Sequence, residues 1–147
     1  MHILELIATL AAGLFSGASI YINLVEHPAR MECGTASALA QWAPSYKRGA
    51  VMQASLAILG SLSAIGAWLL GSGMSWLIGA ILLGLVVPFT LIVIFPTNRR
   101  LLSQSLDRGS AEARQLLARW ARLHAVRSIL SSGSFLVFVV SLSGSFR

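Results

Sequence analysis

Acidic residues are nearly missing from this chain: five Asp and Glu stand against eleven Lys and Arg in 147 residues. Charged residues of either sign make up only 11%, against about 25% in an ordinary soluble domain. That shortage excludes a water-facing surface over most of the chain. Cysteine is just as scarce. Cys33 stands alone, so no disulfide can close within the chain, and it reads as a plain thiol in a loop. A basic leader is missing too. The chain opens Met-His-Ile-Leu-Glu and then stays apolar for more than about 20 residues, which fits a retained membrane helix better than a cleaved secretory signal.

What is present is apolar length. Hydrophobic residues reach 56% and the mean hydropathy is +0.76. A hydrocarbon layer of about 30 Å requires roughly 20 apolar helical residues. Four stretches qualify, about 3–25, 50–70, 76–95 and 123–143. The length suggests one domain over 1–147. The expectation is an all-α, four-transmembrane-helix bundle running up-down-up-down. Its fourth helix should start in water or headgroups near residue 111, where Glu112 lies in a strongly helix-forming run, and continue to about 143.

The net charge of +6 could suggest nucleic acid, but its placement argues against that partner. Ten of the basic residues, from Arg30, Lys47 and Arg48 through Arg99, Arg100 and Arg108 to Arg114, Arg119, Arg122 and Arg127, fall in two loops or at their margins. Only Arg147 falls on the other side. A positive-inside bias puts such loops in the cytoplasm. Loops 28–49 and 96–122 are therefore expected to be cytoplasmic and both termini outside. The expected setting is a bacterial inner membrane, and the expected partners are the lipid bilayer and a lipophilic small molecule.

Small residues mark the helix contacts. Gly13 and Gly17 form a Gly-x-x-x-Gly in the first span, which allows close backbone approach in lipid; internal packing is expected of it, with a homo-oligomer or other membrane partner as the other use. Gly71-Ser72-Gly73 makes a tight link between spans two and three. Trp68 and Trp76 flank it as expected interfacial anchors, with Trp42 and Trp120 at the other face. Pro88 should kink the third span near Gly84, because its ring displaces the carbonyl four residues back.

Polar groups gather at one end of every span. At about 1.5 Å per residue, Asn23, Asn98 and His124 reach a similar depth. Asn23, Glu26, His27 and Arg30 are spaced i, i+3, i+4 and i+7; Trp120, His124 and Arg127 are spaced i, i+4 and i+7. Each set lies on one helix face. At this depth, facing lipid costs more than facing the bundle interior, so a polar pocket with an apolar floor is expected at the cytoplasmic end. The plainer readings are an Arg127–Glu26 pair, an intrahelical or bundle hydrogen bond for His124, and a cap for Asn98. His27, Glu26 and His124 also have the donor types of a transition-metal or haem site, although no spacing within one helix supports it.

The runs Tyr21-Ile-Asn23-Leu-Val-Glu26-His27-Pro28-Ala-Arg30, Pro96-Thr97-Asn98-Arg99-Arg100-Leu101 and Trp120-Ala-Arg122-Leu-His124-Ala-Val-Arg127 resemble a family of small four-helix membrane proteins that includes the anthrone oxygenases of aromatic polyketide pathways. The likeness covers nearly the whole chain. It implies an oxygenase-like oxidoreductase, a monooxygenase that converts an anthrone or quinol-like aromatic with dioxygen and no metal or flavin. Such chemistry needs a base, donors for a developing oxyanion and an apolar slot. His124 or His27 would be the base, and Arg127, Asn98 and Asn23 the donors. Tyr21, Glu26, Arg30, Trp120 and Phe95 would bind substrate, with Phe15 and Phe89 as further aromatic surfaces in a chain that has few. A non-enzymatic membrane subunit or small-ligand binder, and a metal- or haem-binding membrane protein, are the other readings.

Overall fold

A computed structural model describes residues 3–144, all of them helix, turn or short link. Arg147, the basic residue assigned to the opposite side, lies outside the described residues. Four helices are long and apolar enough to cross a membrane: α1 (Ile3–Glu32), α2 (Thr35–Leu69), α3 (Met74–Leu101) and α4 (Ala111–Leu142). Each packs on its neighbours in the chain, and α1 also packs on α4, which closes the ring. The links are Cys33–Gly34, Leu70–Gly73 and residues 102–110. Gly34, Gly71 and Gly73 take φ of 87°, 93° and 99°, a region that other residues enter only at a cost.

Burial is inverted relative to a soluble bundle. The core is built from small residues such as Ala8, Ala12, Ala57, Ala64 and Ser131, while Leu24, Val51, Ile92 and Ile129 are each at least 70% exposed. In lipid no hydrophobic drive pulls large aliphatic side chains inward, so helices associate through close packing. A Cβ on Gly79 would stand 2.2 Å from the Phe138 ring. The missing side chain lets Trp76 stack on Phe138 at 5.1 Å, and lets Ser134 donate to the Gly79 carbonyl at 2.7 Å. In the α1 pair, a Cβ on Gly13 would meet Phe135 at 2.9 Å, whereas Gly17 has nothing within 4 Å. Only half of that motif is used for packing.

Three prolines reshape α1 and α3 without ending them. Pro28 and Pro96 each lie two residues beyond a widened i→i+5 turn, Ile22–Glu26 in α1 and Thr90–Ile94 in α3. Such a turn gives the ring room where it would clash with the carbonyl four residues back. Pro88 sits just after an interruption at Leu85, between helical pieces Met74–Gly84 and Val86–Phe89, close to the expected kink. Packing of α3 against α2 is concentrated in Met74–Gly84 and thins past that break. The two helices therefore separate toward the polar end.

Two expectations require correction. The loop expected over 28–49 is mostly helix: α1 continues to Glu32 and α2 begins at Thr35, with Pro44 inside it. Ala-rich sequence favours helix here, and Leu39 and Trp42 secure the segment by packing into an aromatic cluster with Trp120, Ile94 and Leu117. Nor are the tryptophans a ring of surface anchors. Trp42, Trp76 and Trp120 are at most 4% exposed and Trp68 is half-buried. The expected start of the extended fourth helix at 111 agrees with α4. Ser110 caps it by accepting from the Ala113 amide at 3.1 Å, and Glu112 in its first turn pairs with Arg100.

Candidate functional site

The site is assembled at the polar end, where α1 and α4 meet around Asn23. Its carboxamide is held from three sides. Nδ2 donates to the Ala121 carbonyl at 3.0 Å; because a carbonyl can only accept, this contact sets the orientation of the amide. Oδ1 must then face Ser128 and His124, accepting from Ser128 Oγ at 2.7 Å and from His124 Nδ1 at 2.8 Å. An acceptor opposite Nδ1 requires the proton on Nδ1, which leaves Nε2 of the neutral ring with a free lone pair. Trp120 covers the imidazole, with centroids 4.8 Å apart. One Nδ2 hydrogen is thus committed to Ala121, and Oδ1 to His124 and Ser128. In this arrangement Asn23 holds His124 in place.

Arg127, one turn below His124, is 6% exposed. Nη2 donates to Gln53 Oε1 at 2.7 Å, Gln53 Nε2 donates to Ser19 Oγ at 3.1 Å, and Cζ lies 5.4 Å from the Phe15 ring centroid. Nε is buried with no partner. No carboxylate pairs with Arg127 among the described residues. The alternative Arg127–Glu26 pair is not formed: one oxygen of Glu26 accepts from Arg30, from Ser45 at 2.8 Å and from Gln41 at 3.0 Å. A buried guanidinium without a counter-ion costs several kcal/mol in desolvation, and an anionic ligand would offset that cost.

Two spaces meet at this cation. A cavity of about 20 Å³ is lined by His124, Arg127, Arg30, Trp120, Tyr46 and Gln53. It is large enough for a water molecule or a diatomic. An apolar cleft of about 180 Å³ lies between α2 and α3, and it shares Tyr46, Ala50, Gln53 and Arg127 with the cavity. Phe95 is 44% exposed and lines the cleft, and Phe15 forms part of its floor.

The other expected residues are distributed differently. His27 is buried against Trp120 at 5.4 Å; its Nδ1 has no partner, and it does not line the small cavity. Asn98 is 1% exposed, and both ends of its amide lack partners. It stands between Ile94 and Leu101 on the α3 face that packs into the Trp42–Trp120 cluster. Tyr21 is 54% exposed and borders an outer groove with Glu26, Gln41 and Arg48. Arg30 is held by Glu26 at the rim of the small cavity.

Sequence reasoning missed Gln53, Ser128 and Tyr46. Gln53 had a signal, since it is an amide within an otherwise apolar span. Ser128, one turn beyond His124, gave none that separates it from the other serines of α4.

A metal or haem site fits these residues poorly. Among the described residues no three His, Cys, Asp or Glu come together as ligands. Glu26 Oε1 is occupied by three donors, His124 Nδ1 is committed to Asn23, and the cavity beside His124 is far too small for a tetrapyrrole.

Four long apolar helices around a polar-ended pocket define a small membrane-type helical protein with a buried histidine and a buried arginine. The sequence profile of the anthrone oxygenase family matches residues 42–137. The chain is 34% identical over 132 residues to the anthrone oxygenase tpcL of Aspergillus fumigatus, covering 83% of this chain and 82% of that one. It is 26% identical over 156 residues to an anthrone oxygenase of Claviceps purpurea, covering 94% and 88%. The chain belongs to the anthrone oxygenase family. No solved structure matches it. Both relatives are fungal, so the comparisons lend no support to a bacterial inner membrane as its setting.

Proposed function

We propose that the chain oxidises a lipophilic aromatic of the anthrone class, acidic at its ring methylene, with dioxygen, at the polar end of the bundle. The observation that carries the reading is that His124, its Nδ1 held by Asn23, lines one cavity with Arg127, a buried cation with no carboxylate partner among the described residues. In an anthrone the ring methylene is acidic because its anion is an aromatic phenolate. His124 Nε2 takes that proton. Arg127 stabilises the charge that develops on the substrate oxygen. The electron-rich carbon then gives electrons to dioxygen and forms a hydroperoxide, which loses water to leave the second carbonyl. The balance is CH₂ + O₂ → C=O + H₂O. The burial that makes Arg127 costly in the empty protein strengthens its interaction with an oxyanion.

The test is oxygen uptake with anthrone by the protein in nanodiscs, with one quinone expected per O₂ and no change on adding a chelator. Uptake no faster than the spontaneous rate would leave the second reading, a ligand-binding membrane subunit, to account for the unpaired arginine.

The polar end is assigned to the cytoplasm on the distribution of basic residues. Cys33 is exposed in the link between α1 and α2. A membrane-impermeant thiol reagent should label it only after the membrane is opened; ready labelling in intact cells would reverse the orientation.

A further inference from the structure

The cleft between α2 and α3 has three properties that the oxidation alone does not require. Its α2 wall is a stripe of alanines: Ala50, Ala54 and Ala57 fall at i, i+4 and i+7 on one face. Its α3 wall is the irregular stretch around Pro88, where the helix has moved away from α2. Its mouth is bordered by Leu91 and Phe95, which are 62% and 44% exposed within the apolar span of α3. At its inner end is Arg127, 94% buried with Nε unpartnered.

Resting on the proposed function, the geometry points to this cleft as a lateral port: the substrate enters from the bilayer between α2 and α3, and the alanine stripe selects its shape. The occupant is a planar system of two or three fused rings carrying one acidic enol or phenol oxygen. The volume of about 180 Å³ is below the roughly 300–1,000 Å³ of drug-sized ligand sites, which suits a small flat ring system. The alanines leave a slot where a branched side chain would close it. The charge at the inner end is complementary to an enolate or phenolate. The oxygen anchors on Arg127, and the adjoining cavity brings His124 within reach of the same ligand.

Binding can be measured without turnover, through quenching of the native tryptophans by 2-hydroxyanthraquinone in nanodiscs. Trp42 is well placed to report, because it stacks at 5.0 Å on Tyr46, a wall residue of the cleft. Ala54→Phe and Ala50→Leu should each raise the quenching midpoint by about tenfold or more, and Leu62→Phe on the lipid face of α2 should leave it unchanged. Unsubstituted anthraquinone, which lacks the acidic oxygen, should bind more weakly to the wild type, and Arg127→Met should abolish that difference. Two alanine variants guard against one that fails to fold, and the elution profile of each checks its integrity. Equal midpoints in wild type and both alanine variants, or no saturable quenching in the wild type, overturn the port. If the wild type consumes no oxygen but the quenching pattern holds, the port stands and the oxidation falls.

Discussion

The two halves of this bundle treat buried polarity in opposite ways. In the apolar half, around Ala8, Ala12, Ala64, Trp76 and Phe138, small residues and one stacked aromatic pair fill the interior, and Ser134 is satisfied by a backbone carbonyl. Among the described residues, its unpartnered buried side-chain atoms are two serine hydroxyls, Ser61 and Ser72. In the polar half, around Trp42, Ile94, Leu117 and Trp120, the unpartnered atoms belong to His27, Arg30, Trp42, Asn98 and Arg127. An unmet buried donor or acceptor costs about 1–3 kcal/mol, so the polar half gives up more stability than the other half. Under the proposed function, one half holds the bundle together and the other carries the chemistry.

The sharpest way to break that comparison is to remove the base. His124→Ala should lower oxygen uptake with anthrone by about 10²–10⁴, the usual contribution of a general base. His27→Ala should cost less, because His27 does not line the cavity; the reverse order would move the base to His27. Arg127→Ala follows, with a loss of about 10²–10³ as expected for an oxyanion donor, and Arg127→Lys should recover part of it. Asn23→Ala frees His124 Nδ1 from its acceptor. One hydrogen bond contributes about 1–1.5 kcal/mol, so turnover should fall about tenfold and the pH profile should change shape, which a merely structural role would not produce. The smallest effect on catalysis belongs to the other half. Gly79→Ala places a Cβ 2.2 Å from Phe138 and should destabilise by about 1–3 kcal/mol, read as a lower melting midpoint in detergent. Turnover per folded molecule should stay as in the wild type. A large loss of turnover there would show that the halves are coupled and not divided.

Much of this was legible in order along the chain. Apolar length marked the four spans, and Pro88 marked the interruption of α3. The polar residues were foreseeable as a group because a charge facing lipid is costly. The first loop was misread because polar composition was taken for irregular backbone. Residues 35–49 are helix, since intrinsic propensity and the burial of Leu39 and Trp42 outweigh a single proline. The tryptophans were misread for a related reason: an indole near a helix end serves as an anchor or as packing, and the partner decides which.

The sequence by itself determined that the chain is all-helical with four apolar spans, that its polar groups collect at one end, and that its motifs are those of the anthrone oxygenase family. Only the tertiary structure decided which polar groups are spent and which are available. Glu26 is taken by Arg30, Arg127 is left without a carboxylate, and the His124 proton is set on Nδ1 by Asn23. The His124–Asn23 and Arg127–Gln53 contacts join residues 101 and 74 positions apart. Spacing along one helix carries information only about that helix's own face, whereas hydrogen-bond partnership depends on distances of about 3 Å between helices, and those exist only once the bundle has closed.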